Sequence, residues 1–210
     1  MSRSQPDWVL RAADRGVIAL VLVAGLVWLT SCSAGGSADG DDPTEQAPAA
    51  ELPDLADCPD PTGNPATGEQ ALPELSLPCL DEGGGQLTLG EAPGVPMVLN
   101  LWATWCTACR DELPLFSQLY GASDREQLLV AGVVTRDSPG LAAEFAVDLG
   151  IDFPSGLDEN GDLYVDQGLR GLPGTFFVDA GGSIVHAELA PITSYEDLVA
   201  LVQEHLGVTV

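Results

Sequence analysis

Residues 95–119 read VPMVLNLWATWCTACRDELPLFSQL, and the fold turns on them. From Val95 to Leu101 the run is apolar apart from Asn100, the pattern of a strand buried on both faces. From Cys109 onward Leu113, Phe116 and Leu119 recur at helical spacing, so a helix is predicted over residues 109–119. Cys106 and Cys109 therefore fall where a strand feeds a helix. A thiolate, not a thiol, attacks a disulfide, and the unpaired N–H groups at a helix start favour an anion there. Cys106 is accordingly the expected nucleophile. Cys109, one turn further in, is the expected resolving thiol, because two intervening residues let both sulfurs meet across that first turn.

Outward from this stretch, the apolar run Leu128 to Val134 precedes a helical segment from Pro139 to Leu149, with Leu141, Phe145 and Leu149 on one face. After Phe153-Pro154 a short segment runs to about Asp158, Asn160-Gly161 marks a turn, and a short helix is predicted near residues 162–167. Residues 175–179 and 184–189, divided by Gly181-Gly182, read as a hairpin, and a closing helix runs from near Ser194 to Gly207. Strands alternating with helices, then a hairpin and a last helix, fit an α/β sheet covered by helices on both faces. Asp158, Asn160 and Asp162 imitate the start of a calcium loop, but Leu163 and Leu169 stand where its Gly and Glu belong, so the segment reads as a turn. His186 and His205 lie outside these motifs and read as isolated structural residues.

The amino terminus reads as an address. Arg3, Arg11 and Arg15 precede an uncharged apolar run from Val17 to Leu29, the build of a secretory signal and short for a membrane-spanning helix. Leu29-Thr30-Ser31-Cys32 resembles a bacterial lipobox, so residues 1–31 are expected to be a lipoprotein-type signal peptide and Cys32 the lipidation site; the alternative is a single-pass signal anchor. Residues 32–56, small, acidic and rich in Pro and Gly, read as a flexible tether, and residues 57–210 as one domain with its core at about 70–210. The expected location is the outer face of the cytoplasmic membrane.

With Cys32 set aside, four of the five Cys remain, an even number that suits an oxidising compartment. Cys58 and Cys79, on either side of a Pro- and Gly-rich stretch, are expected to form a structural disulfide. A four-Cys zinc site would need two short pairs, which these spacings do not supply, and no metal is expected. The net charge is −25 with no Lys, and loss of residues 1–31 would leave 4 Arg against 30 acids. Such a surface argues against nucleic acid as a partner.

Trp102-Ala103-Thr104-Trp105-Cys106-Thr107-Ala108-Cys109-Arg110-Asp111-Glu112-Leu113-Pro114 resembles the active-site stretch of TlpA/ResA-like thioredoxin proteins, and Gly171-Leu172-Pro173-Gly174-Thr175-Phe176-Phe177-Val178-Asp179 resembles their cis-proline loop and the strand after it. The resemblance covers about residues 70–210. It implies a thioredoxin fold, with a central mixed sheet, flanking helices and the extra segments of TlpA/ResA-like proteins. It also implies that Pro173 is the cis-proline, that the Leu172 backbone offers strand-like bonds to a substrate chain, that Trp105 flanks the site, and that Glu112 influences thiol acidity and proton transfer. For Trp102, core packing and a site role stay open; for Glu112 the alternative is an exposed first-turn residue stabilising the helix. This chain departs from the common pattern at Thr107 and Ala108, between the thiols, so its redox poise is not inherited, and at Gly174, where loss of a common Thr is expected to loosen the cis-proline loop or open space for substrate.

The expected function is a cofactor-free thiol-disulfide oxidoreductase, monomeric, acting on protein substrates. The resemblance favours a reductant, keeping apocytochrome c cysteines reduced during cytochrome c maturation with electrons from a membrane thiol carrier. A disulfide donor for secreted proteins is the nearer alternative. A thiol peroxidase is the further one, since those enzymes place Thr where this chain has Ala103.

Overall fold

A computed structural model describes residues 55–210 except 69 and 82. The expected signal peptide, Cys32 and all of the tether ahead of Leu55 lie outside the described residues.

The elements run β1 (Leu75–Pro78), β2 (Gln86–Leu89), β3 (Met97–Trp102), α1 (Thr107–Ala122), β4 (Leu129–Thr135), α2 (Pro139–Leu149), β5 (Ser155–Asp158), α3 (Asp162–Asp166), β6 (Gly174–Val178), β7 (Ile184–Glu188) and α4 (Tyr195–Leu206). Five strands form one mixed sheet in the order β5-β4-β3-β6-β7. The apolar run of β3 is central and buried at every position, parallel to β4 and antiparallel to β6. Its period of two sends Val98, Asn100 and Trp102 to one face and Met97, Leu99 and Leu101 to the other.

The first face packs against α1, α2 and α4 through Leu113, Phe116, Phe145, Leu198 and Val202. The second is covered by the β1–β2 hairpin and by Leu163 of α3. That hairpin has no counterpart among the elements expected from the sequence. It approaches β5 so closely that a side chain at Gly156 would meet Leu77 and Leu87, and the bridge between Cys79 and Gly156 continues the contact. Cys58 and Cys79 are joined, with Cα atoms 6.3 Å apart.

Local signals account for the helix ends. Ser194 accepts the N–H of Asp197 at the start of α4, acids occupy its first turn, His205 its last, and Gly207 closes it at φ 69°. Pro114 lies inside α1, where it removes one backbone donor without ending the helix. His186 and His205 are not isolated from each other as expected: β7 and α4 stack their rings 3.8 Å apart, with Phe177 beside both. Among the described residues no helix is long and apolar enough to cross a membrane.

Candidate active site

The turn from β3 into α1 builds the site. Cys106 is itself the N-cap of α1, with extended backbone (φ −89°, ψ 102°), and its Sγ accepts the N–H of Cys109 at 3.1 Å. The sulfur thus takes the place of a capping oxygen and meets the positive end of the helix directly. Cys106 and Cys109 are joined, Cα atoms 5.3 Å apart. Cys106 is 6% exposed and Cys109 0%, so of the two only Cys106 keeps any contact with the surface.

Glu112, one turn beyond Cys109, is 1% exposed, which removes the alternative of a solvent-facing helix stabiliser. Its Oε1 accepts the amide of Asn100 at 2.7 Å, and its Oε2 accepts the backbone N–H of Ile192 at 3.0 Å. Asn100 also donates to the Thr175 hydroxyl at 3.1 Å. Burial pushes the Glu112 carboxyl from 4.5 up to about 7, against the lowering effect of the bonds from Asn100 and Ile192. The Asn100 Oδ1 has no partner among the described residues, and it is the acceptor a protonated Glu112 would need once the amide turned over. A carboxyl that titrates near neutrality, on the same face of α1 as the shielded thiol, is suited to holding and releasing its proton.

Register brings the second motif to the same place. Gly174 lies opposite Leu101, so Pro173 sits at the end of β3 from which the cysteines follow, and the Leu172–Pro173 peptide is cis. Leu172 packs against both faces of the core. Trp105 is 55% exposed beside Cys106, its indole N–H donating to the Arg136 carbonyl at 3.2 Å. Trp102 is wholly buried and stacks on Phe145, a core residue. Cys58 and Cys79 lie on the opposite face of the sheet, beside Gly156 of β5, where their sulfurs share a small space with the Asp81 carboxylate. Joined to each other, the two sulfurs are not thiolate ligands, and nothing in this cluster requires a metal.

A model of the AhpC/TSA family matches residues 68–187, more than half of the chain. Thiol:disulfide interchange protein CycY of Rhizobium leguminosarum bv. viciae is 31% identical over 164 residues, covering 75% of this chain and 80% of that protein. The chain belongs to the thiol:disulfide interchange proteins of the AhpC/TSA family. Thiol:disulfide interchange protein DsbE of Pseudomonas fluorescens biotype C is 32% identical over 114 residues, 54% of this chain, and the match spans 61% of that relative. Among solved structures, a secreted disulfide oxidoreductase of Mycobacterium tuberculosis superposes with a TM-score of 0.54 at 23% identity, over 62% of this chain and 96% of that one. That likeness establishes the thioredoxin-type fold, and the Rhizobium relative the interchange family.

Sequence reasoning missed the groups that hold this site from a distance. Asp137 accepts the Thr104 N–H at 2.7 Å across 33 residues, and Ile192 reaches Glu112 across 80. Neither belongs to a local motif. Thr175 belongs to the stretch that resembles a cis-proline loop, and only its pairing opposite Asn100 distinguishes it.

Proposed function

We propose that this protein is an extracytoplasmic reductant of protein disulfides, with Cys106 as nucleophile and Cys109 as resolving thiol. The observation that carries it is the position of Cys106 as the cap of α1, its sulfur on the Cys109 N–H, at the margin of the core while Cys109 is wholly buried.

In the reduced form the Cys106 thiolate attacks one sulfur of a substrate disulfide. The S–S bond breaks, the second substrate sulfur leaves as a thiolate and takes up a proton, and a mixed disulfide joins substrate to Cys106. Glu112 then takes the proton of Cys109, whose thiolate attacks the Cys106 sulfur and releases the first substrate thiolate. Two electrons have passed to the substrate and the Cys106–Cys109 bond has closed. A membrane thiol carrier would reopen it. No bound cofactor enters this cycle. Pro173 and the Leu172 backbone form the ledge on which an extended substrate chain adds as a strand, and exposed Trp105 supplies an apolar wall beside it. Cysteines of apocytochrome c, reduced for cytochrome c maturation, are the substrate this reading favours.

Cys58–Cys79 serves as a structural clasp. The location at the outer face of the cytoplasmic membrane rests on the signal-like amino terminus and Cys32 as lipid anchor; Cys32→Ser should release the protein from membranes if so. The domain assignment is residues 1–31 as signal peptide, 32–56 as tether and 57–210 as a monomeric catalytic domain. The test of activity is a Cys109→Ser variant, which should accumulate mixed disulfides at Cys106 with apocytochrome c among them. A midpoint potential as oxidising as that of strong disulfide donors would overturn the direction of transfer.

A further inference from the structure

Outside the two motifs, a pair of residues after β4 grips the backbone just ahead of the nucleophile, and the role of that grip rests on thiol exchange at Cys106. The Asp137 carboxylate accepts two N–H groups, Thr104 on Oδ2 at 2.7 Å and Ser138 on Oδ1 at 2.9 Å. The carbonyl of Arg136 accepts the Trp105 indole. Each of the two residues preceding Cys106 is therefore tied to one residue of this dipeptide.

The grip is built at a conformational cost. Arg136 has φ 53°, the sole non-glycine residue at positive φ among those described, a backbone region that a Cβ-bearing residue keeps only where its surroundings hold it there. Those surroundings are visible. Its N–H donates to the Asp158 carbonyl at 2.9 Å, and its guanidinium lies 4.4 Å above the Tyr164 ring. Its side chain fills the space that a Cβ at Gly161 would need. Asp158 in turn accepts the N–H groups of Asp162 and Leu163 at 2.8 and 3.1 Å, fixing the start of α3. The turn that imitates a calcium loop is thus the footing of this grip.

We propose that Asp137 is a positioning residue for Cys106: its carboxylate fixes the Thr104–Trp105 approach to the nucleophile and, as a negative charge beside the start of α1, holds back the thiolate and keeps the pair reducing. The other charged groups at this end are Arg110, Asp111 and Glu112 on α1, Arg136 itself, Asp158 at the end of β5, whose carboxylate is taken up by the Thr135 hydroxyl and the start of α3, and Arg170 ahead of Pro173. Arg110 and Arg136 are drawn onto the rings of Phe145 and Tyr164, and Glu112 is buried beneath the turn. Removing one negative charge from this set favours the thiolate. A more stable thiolate stabilises the reduced state and makes the pair more oxidising.

The experiment titrates Cys106 by ultraviolet thiolate absorbance and measures the dithiol/disulfide equilibrium against glutathione buffers, in the full chain and its variants. Asp137→Asn keeps an oxygen for the Thr104 N–H and drops the charge; it should lower the Cys106 pKa by about one unit and move the equilibrium several-fold toward the dithiol. Asp137→Glu should restore both values toward wild type. Asp137→Ala should combine the shift with slower exchange. If the Asn variant does not fold, Asp137→Ser, which retains an acceptor without charge, carries the same test. Neutral variants with wild-type thiol acidity and potential overturn the proposal. A wild-type Cys106 that titrates like free cysteine and never pairs with Cys109 overturns the exchange reading instead.

Discussion

Replacing Glu112 by Gln tests whether the domain keeps a neutral carboxyl group in its interior. Burial raises this carboxyl from 4.5 to about 7, the bonds from Asn100 and Ile192 offsetting only part of the effect. Between those values the folded chain holds a proton that the unfolded chain has released. The stability linked to this group is therefore full below about pH 4.5, declines as pH rises, and reaches its floor above about pH 7. A gap of about 2.5 units at ~1.4 kcal/mol each amounts to about 3 kcal/mol across that window. Gln does not ionise, so its unfolding free energy lacks this decline. Its amide offers one acceptor oxygen where the carboxylate offers two, a constant penalty of about 1 kcal/mol that moves the intercept and not the slope. Urea unfolding of both oxidised proteins through this pH range supplies the two curves. Subtracting one from the other cancels the remaining acids. The difference, wild type minus variant, should fall by up to about 3 kcal/mol as pH rises; two parallel curves would refute the reasoning.

Other substitutions separate packing from chemistry. Gly132→Ala would place a Cβ 2.5 Å from Ser155 Oγ and 2.8 Å from the Trp102 indole nitrogen, so it should lower stability by about 1–3 kcal/mol in thermal unfolding. Gly121→Ala, in α1 with open space around it, should raise stability by about 0.5–1 kcal/mol in the same scan. Replacing Cys58 and Cys79 together by Ser should cost about 3 kcal/mol in denaturant unfolding, with the Cys106–Cys109 potential unchanged. Trp102→Ala should cost about 3–5 kcal/mol, whereas Trp105→Ala should leave unfolding nearly unchanged and slow exchange with a protein substrate.

What the sequence made legible was whatever local periodicity encodes. The apolar run of β3, the helical spacing of Leu113, Phe116 and Leu119, and the paired runs of β6 and β7 each announce their element without help from elsewhere. The β1–β2 hairpin does not, because two four-residue strands, one ending in Pro78, give too short a window, and their pairing depends on Gly156 letting them press against β5. The same limit hid the supports of the site. Asp137 looks like any acid after a strand until β4 is laid beside β3, and the stacking of His186 on His205 exists only once α4 returns across β7. Glu112 was visible as a motif position, but its burial was not, since Asn100 of β3 and the loop at Ile192 must both be brought onto α1 to enclose it.

The bond from the Ile192 amide to Glu112 also gives the molecule a gauge. That amide hydrogen points at the oxygen whose charge changes, yet belongs to the loop that opens α4 rather than to the reacting turn. Its nuclear magnetic resonance frequency should track the carboxyl proton through each turnover, and its deuterium uptake should register any loosening of that loop, leaving both sulfurs unlabelled and free to react.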